Sequence, residues 1–410
     1  MYHYVYPEET ELQRFIQARY RKAWIWQNLF LLSLLIAVIS LTALLLDIID
    51  GSFGYIAYEF KKDPLTISEK PIEQFTKEEL IQVLQANLSR GALNKLNSEM
   101  PLEQRSEADL YSLVLERIIQ IDTKQTYSLF ESLFRRAEIE AEVAEKYPNA
   151  RLEFRYWLQP EFIVSPQSSK AEFAGVRTAI FGSLWVVLIA MILSMPVGVG
   201  AAIYLQEYAQ KNFINSVIQT NINNLAGVPS IVYGMLGLAI FVRAFEPLTS
   251  GAVFGITDTN GRTILSAGLT MGILVLPLVI INAQEAIKAV PDSIRQAAYG
   301  VGATKWQTIW SHVLPNALPG ILTGNILAMS RAMGETAPLI IVGASTFISQ
   351  DPSGPFSKFT ALPIQIYQWT SRAQSEFHNI AAAAIVVLLV LLLLLNTTAI
   401  LLRNRFQRRF

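Results

Sequence analysis

Arg331 and Glu335 are the residues best placed for chemistry in the apolar parts of this chain. They stand four apart, so a helix puts them on one face, with Thr323, Ser330 and Gly334 close to the same stripe. A guanidinium there offers a fork of donors to a carboxylate or to an oxyanion such as phosphate. A charge at the centre of a membrane helix costs about 2.5–3.5 kcal/mol on the insertion scale, so the pair asks for a reason. Two reasons stay open. Either Arg331, with Ser330, Glu335 and Thr336, lines a path for an anion, or Arg331 and Glu335 only neutralise each other. A second cluster, Asn223, Asn224, Gly227, Pro229, Ser230 and Gly234, interrupts another apolar run. Small, kinked stretches serve both as gates and as ordinary tight helix crossings. Catalytic constellations are missing: there is no cysteine, the three histidines (His3, His312, His378) are scattered, and neither G-x-S-x-G nor H-E-x-x-H occurs. The string GVGATKWQ has a lysine without the adjacent glycine of a phosphate-binding loop.

The elements that carry these residues are membrane helices. Of 410 residues 52% are hydrophobic and 16% charged, against about 25% charged in soluble domains. Mean hydropathy is +0.34. Net charge is zero, so nothing suggests a nucleic-acid partner, which needs a basic excess. Runs long enough to span a bilayer, roughly 18 residues or more, are Trp24–Leu46, Val176–Tyr204, Val217–Phe245, Ile264–Ile281, Leu318–Ala344 and Ile380–Leu402. Segment 1–23, with Arg14, Arg19, Arg21 and Lys22, is expected in the cytoplasm, and so is the basic tail 403–410. A cleaved signal peptide is the rival reading of the first run, but that run is too long and lacks an A-x-A-like site. Pro196, Pro229, Pro277 and Pro338 lie inside spans, where neighbouring groups can re-satisfy the freed carbonyls. Gly320-x-x-x-Gly324 predicts a close helix contact. Trp24, Trp26, Trp185 and Trp369 include expected interfacial anchors.

Residues 47–172 differ in composition. They hold 15 basic and 22 acidic residues, leaving the rest of the chain with a matching positive excess. The segment is expected outside the cytoplasmic membrane and helical. Thr76 to Glu79 forms a capping box, Leu110, Leu113, Val114 and Ile118 recur at helical spacing, and Phe130, Phe134 and Ala137 do so again. Its acidity predicts a docking or scaffolding surface rather than an anion vestibule, with no role in transport as the other open reading. Replacing Gly51 to Ser168 by a linker is expected to leave the membrane core foldable.

Loop 282–318 reads as a cytoplasmic hairpin. Pro291 with Asp292 or Ser293 starts one helix, Gly302 ends it, and Thr304 with Gln307 caps the next. Trp306, Ile309, Trp310 and Val313 are expected on one face, with Pro315 and Pro319 punctuating the end. An interfacial connector explains such a hairpin equally well on physics alone. Its spacing, however, resembles the ATPase-docking signature E-A-A-x3-G-x9-I-x-L-P of ABC import permeases, at Gln296, Ala297, Ala298, Gly302, His312, Leu314 and Pro315. Gln296 replaces the motif's acid and His312 its aliphatic residue.

The strings INNLAGVPSIVYGML (222–236), AVPDSIRQAAYGVGATKWQTI (289–309) and AMSRAMGETAPLIIVG (328–343) extend the resemblance. They look like the A-type permease of the bacterial phosphate-specific (Pst) transport system, over about residues 173–402. That resemblance implies an all-α, six-span type I importer permease, with 47–172 as a periplasmic insert in a multi-pass inner-membrane protein. It implies that the permease lies in membrane lipid, with inorganic phosphate as cargo. Its partners would be a C-type permease, an ABC ATPase dimer that binds ATP and Mg, and a periplasmic phosphate-binding protein. No cofactor is expected on this chain itself. A permease for another oxyanion, and a scaffold whose outer segment is the working part, are the alternatives. A secondary transporter would need inverted repeats, which the sequence lacks.

Overall fold

The computed structural model describes residues 9–406 apart from 63–69, 71–73, 100, 211, 257–259, 346 and 349. His3 and the tail residues Arg408 and Arg409 lie outside the described residues. Helix α1 (Glu9–Gly51) leads directly into the insert. The insert holds β1 (Phe53–Phe60), α2 (Lys77–Asn87), α3 (Arg90–Glu99), α4 (Glu107–Val114), β2 (Ile121–Thr126), α5 (Leu129–Phe134), α6 (Arg136–Lys146), β3 (Arg151–Tyr156) and α7 (Pro160–Val164). The rest comprises α8 (Arg177–Ile203), α9 (Phe213–Ala226), α10 (Ser230–Gly237), α11 (Glu246–Thr249), α12 (Ile264–Lys288), α13 (Asp292–Gly300), α14 (Lys305–Thr308), α15 (Leu314–Gly334), α16 (Ala337–Val342), α17 (Leu362–Thr370) and α18 (Ser375–Phe406). It is a helical membrane protein.

Among the described residues, four helices are long and apolar enough to cross a membrane: Leu12–Gly51, Arg177–Tyr208, Ile264–Lys288 and Ser375–Arg405. The expected third span is instead two pieces, Phe213–Ala226 and Ser230–Ala244, bent by 102°. The expected fifth span is also two pieces. Its first part, α15, is about 31 Å long at 1.5 Å per residue, enough for a bilayer core of roughly 30 Å. Asn316, Asn325, Ser330 and Arg331 make it too polar to stand out by composition.

Helix α12 is the hub and packs against α8, α9, α10, α15 and α16. Lipid is as apolar as leucine, so close van der Waals approach rather than water exclusion holds such helices together. The GxxxG expectation holds here: a Cβ on Gly320 would lie 2.8 Å from the Ala286 Cβ, and one on Gly324 would lie 2.4 Å from the Asn282 Cβ. Trp369 is fully buried rather than an interfacial anchor.

The insert is not all helical, which corrects the sequence expectation. A three-stranded antiparallel sheet of order β2-β1-β3 forms its middle. The alternation in Arg151-Leu-Glu-Phe-Arg-Tyr156 is a period-2 signal that the helical reading passed over. Facing aromatics lock the register, Phe53 against Tyr156 and Tyr55 against Phe154, with ring centroids 6.2 and 5.3 Å apart. The helical expectations held for α2 and α4. The Thr76–Glu79 capping box forms, and Leu80, Leu84, Leu110, Leu113, Val114 and Ile118 share one core. They held also at Phe130 and Phe134, which lie in α5 and stack on each other at the surface, with a break at Arg135 before Ala137 in α6.

The insert also packs on the helices that follow it. Ile56, Trp157 and Phe162 share one apolar cluster with Trp369, Phe377 and Ile380, where α17 meets α18. Replacing 51–168 by a linker would remove the Ile56, Trp157 and Phe162 side of that cluster. Trp157→Ala should destabilise the whole chain by about 3–5 kcal/mol, read as a lower unfolding temperature in detergent. An unchanged temperature would mean that insert and core fold independently.

Candidate functional site

Two helix breaks organise the centre of the helical part that follows the insert. Proline has no N–H and its ring collides with the carbonyl four residues back. Pro229 therefore cannot bond Leu225, and α9 stops at Ala226. Pro338 likewise cannot bond Gly334, and α15 stops there. Pro196 and Pro277 sit inside unbroken helices. At both breaks the chain leaves the helix before the proline, at Glu335 in the second case, where the backbone is extended. Asn224, Gly227, Pro229 and Ser230 thus mark a real bend, and Gly227 is the cap of α9.

The post-break segments pack together. A Cβ on Gly234 of α10 would fall 2.7 Å from the Pro338 Cα of α16. Tyr233 repairs the first break by donating its hydroxyl to the Leu225 carbonyl at 2.8 Å. The same hydroxyl lies within electrostatic reach of Arg331. The sequence reading missed Tyr233, although a hydroxyl four residues after the proline is a usable signal.

Arg331 and Glu335 do meet, Nε to Oε1 at 3.4 Å. Glu335 lies beyond the helix end in extended conformation, so the contact crosses the break instead of following an ideal helix face. Arg331 is 44% exposed and Glu335 22%, on a surface this chain leaves uncovered. Ser330 does not join them. Its hydroxyl donates to Asn396 Oδ1 of α18 at 2.7 Å, which makes it a helix-to-helix tie. Thr336 is half-buried, and its carbonyl accepts the Ile340 N–H in the first turn of α16.

The hairpin forms as expected, with corrections to its faces. Gly302 takes φ +81°, and two bonds close α13: Gly302 N–H to Tyr299 and Ala303 N–H to Ala298. The Thr304–Gln307 capping box starts α14. Gln296, Ala297 and Gly302 are exposed, whereas Ala298 is buried and Leu314 and Pro315 are half-buried. Ile309 and Val313 point inward, while Trp306 and Trp310 stack outward with centroids 5.5 Å apart. Pro315 ends nothing: the helix widens into a π turn over Ile309–Val313 and runs on as α15. Such a turn makes room for a residue without an N–H.

The hairpin's anchor was invisible in the sequence. Arg295 of α13 reaches Glu207 at the foot of α8, with Nη2 to Oε1 at 2.8 Å and Nε at 3.1 Å. It also donates to the carbonyls of Ile287 and Val290, closing the end of α12. Both side chains are enclosed, 14% and 8% exposed. One guanidinium thus ties hairpin, α8 and α12 together across 88 residues of sequence.

A protein family described as the binding-protein-dependent transport system inner membrane component matches residues 194–410. Similar proteins include the probable ABC transporter permease YqgI of Bacillus subtilis (strain 168), 33% identical over 206 residues, which is 50% of this chain and 66% of that one. The phosphate transport system permease PstA of Mycobacterium leprae (strain TN) is 36% identical over 216 residues, 52% and 64% of the two chains. The phosphate transport system permease PstC of Xylella fastidiosa (strain Temecula1 / ATCC 700964) is 34% identical over 203 residues, 46% and 62%. The chain spans less than two thirds of the length of these relatives. Among solved structures, the inward-facing MetNI methionine ABC transporter aligns with 56% of this chain and 95% of that one, at 16% identity and a TM-score of 0.43. The matched segment takes in more than half of the chain, with both helix breaks, the hairpin and α18 inside it. The chain therefore belongs to the binding-protein-dependent transport system inner membrane component family, the permeases of ABC importers.

Proposed function

We propose that this chain is one permease half of an ATP-driven importer of inorganic phosphate in the bacterial inner membrane. The observation that carries the reading is Arg331, exposed at the junction of two broken helices on a face that this chain leaves uncovered. Its guanidinium meets a phosphate oxygen during passage, and Glu335 holds it between passages. Asn224, Gly227, Pro229 and Ser230 give the neighbouring segment its bend, so α10 and α16 move as a packed unit. ATP with Mg is bound and hydrolysed on a separate ATPase dimer, which docks at Gln296, Ala297, Gly302 and the Trp306–Trp310 stack. The Arg295 tie transmits that closure to α8 and α12, the rigid-body form of alternating access. Both termini lie in the cytoplasm, and the insert faces the periplasm, where a phosphate-binding protein delivers the cargo.

Uptake of labelled phosphate by vesicles that carry the complete transporter tests the cargo. Unlabelled phosphate should compete and sulfate should not, and equal competition by sulfate would make the substrate a broader class of oxyanion. Docking is tested at Gly302, where an added Cβ meets no neighbour but the backbone is left-handed. Gly302→Trp should cut uptake at least tenfold while the complex stays in the membrane. Normal uptake would remove this face from the ATPase contact. Gln296→Glu, which restores the motif's acid, should be tolerated.

A further inference from the structure

Between the insert and the outer ends of the permease helices lies a cleft of about 1160 Å³. Its walls come from α4, β3, the segment before α8 and the loop after α16. Three arginines reach it, and two are neutralised. Arg105 pairs with Asp109 at 3.1 Å, and Arg177 with Asp351 at 2.8 Å. Arg155 is different. It is half-buried, and burial pushes its guanidinium below its ordinary value. Nη2 donates to the Glu172 carbonyl at 2.7 Å, and the group lies 4.9 Å from the centre of the Trp157 ring. Among the described residues no carboxylate comes within ion-pair distance of it. Glu153 and Glu172 act on it only from further away, and the Glu172 carboxylate is engaged by the Thr123 hydroxyl.

An arginine stays charged in a protein and carries five N–H donors in a fixed fork. Enclosing that charge without a counter-ion is unfavourable, so the cleft holds an unmet demand for an anion. The remaining walls say what kind. Trp157, Phe162, Phe173 and Ile380 supply apolar surface, and the volume lies just above the roughly 300–1,000 Å³ of small-molecule sites. Glu161 and the paired acids at the other arginines repel a free ion that offers only charge. We infer that the cleft binds a small organic anion, a carboxylate or phosphate monoester on an apolar or aromatic body, with Arg155 gripping the anionic head. The insert's overall acidity does not oppose this, because screening confines that field to about 8 Å at physiological salt. Gln350 and Asp351 place the occupant against the loop that follows the second helix break, so binding there bears on the permease as well as on the insert.

Calorimetric titration of the full-length chain in detergent tests the site, with phenyl phosphate and phenylacetate as probes and phenol and inorganic phosphate as controls. At least one organic anion should bind saturably, and phenol and inorganic phosphate at least tenfold more weakly. Arg155→Gln should weaken that binding tenfold or more, Arg155→Lys less, and Arg331→Met not at all. If Arg155→Gln yields no folded chain, Ser112→Trp, which fills the cleft from α4, should abolish the same binding. No saturable binding, inorganic phosphate binding as tightly as the organic probes, or binding that survives both variants would each overturn the proposal.

Discussion

Arg331→Met should abolish phosphate uptake while the assembled complex survives. Methionine keeps the bulk of the side chain and removes the charge. The pair it breaks is long, at 3.4 Å, and lies on a face that this chain leaves uncovered, so little packing within the chain is lost with it. Loss of fold is therefore not the expected cause of lost uptake. Lysine should restore only part, since a point charge lacks the planar fork that suits phosphate oxygens. The decisive variant is Arg331→Met with Glu335→Gln, in which no carboxylate is stranded. An assembled but inactive double variant fits an arginine that touches the anion. Uptake near the parental rate would reduce the pair to mutual neutralisation and end the substrate-contact reading.

The second large effect is expected at Arg295. Removing one partner of a buried ion pair costs about 3–5 kcal/mol, because the other charge is left unpaired. Arg295→Ala strands Glu207, which is 8% exposed, and also frees the carbonyls of Ile287 and Val290. The unfolding temperature in detergent should fall, and uptake should fall with it as the hairpin loses its hold on α8 and α12. Pairing Arg295→Met with Glu207→Leu should recover most of the thermal stability, since apolar replacement of a whole buried pair is often neutral. A single variant with the parental unfolding temperature would show that the tie bears no load.

Much of this architecture was legible locally. Apolar runs marked the membrane helices. The two capping boxes, the left-handed glycine at 302 and the small-residue contact at 320 and 324 were all readable from neighbouring residues. The reason is physical: caps, turns and helix stops are decided by hydrogen bonds within about four residues. Pro229 and Pro338 were legible as kinks, but whether a proline bends or breaks a helix depended on packing that the span count ignored.

What the tertiary structure alone decided is partnership between distant segments. Ser330 and Arg331 are neighbours in sequence, yet one is bound to α18 and the other stands open beside Glu335. Ala298 sits beside Ala297 in the docking motif and turns inward. The strands of the insert hid in a chain whose capping boxes announced helices, because a strand is stabilised by pairing with residues tens of positions away. Arg295 finds Glu207 only after α8 and α12 have packed, and Arg155 meets the Glu172 carbonyl and the Trp157 ring only after β3 has paired in its sheet. Local hydrogen bonding is written residue by residue along the chain; burial and charge pairing belong to the folded whole.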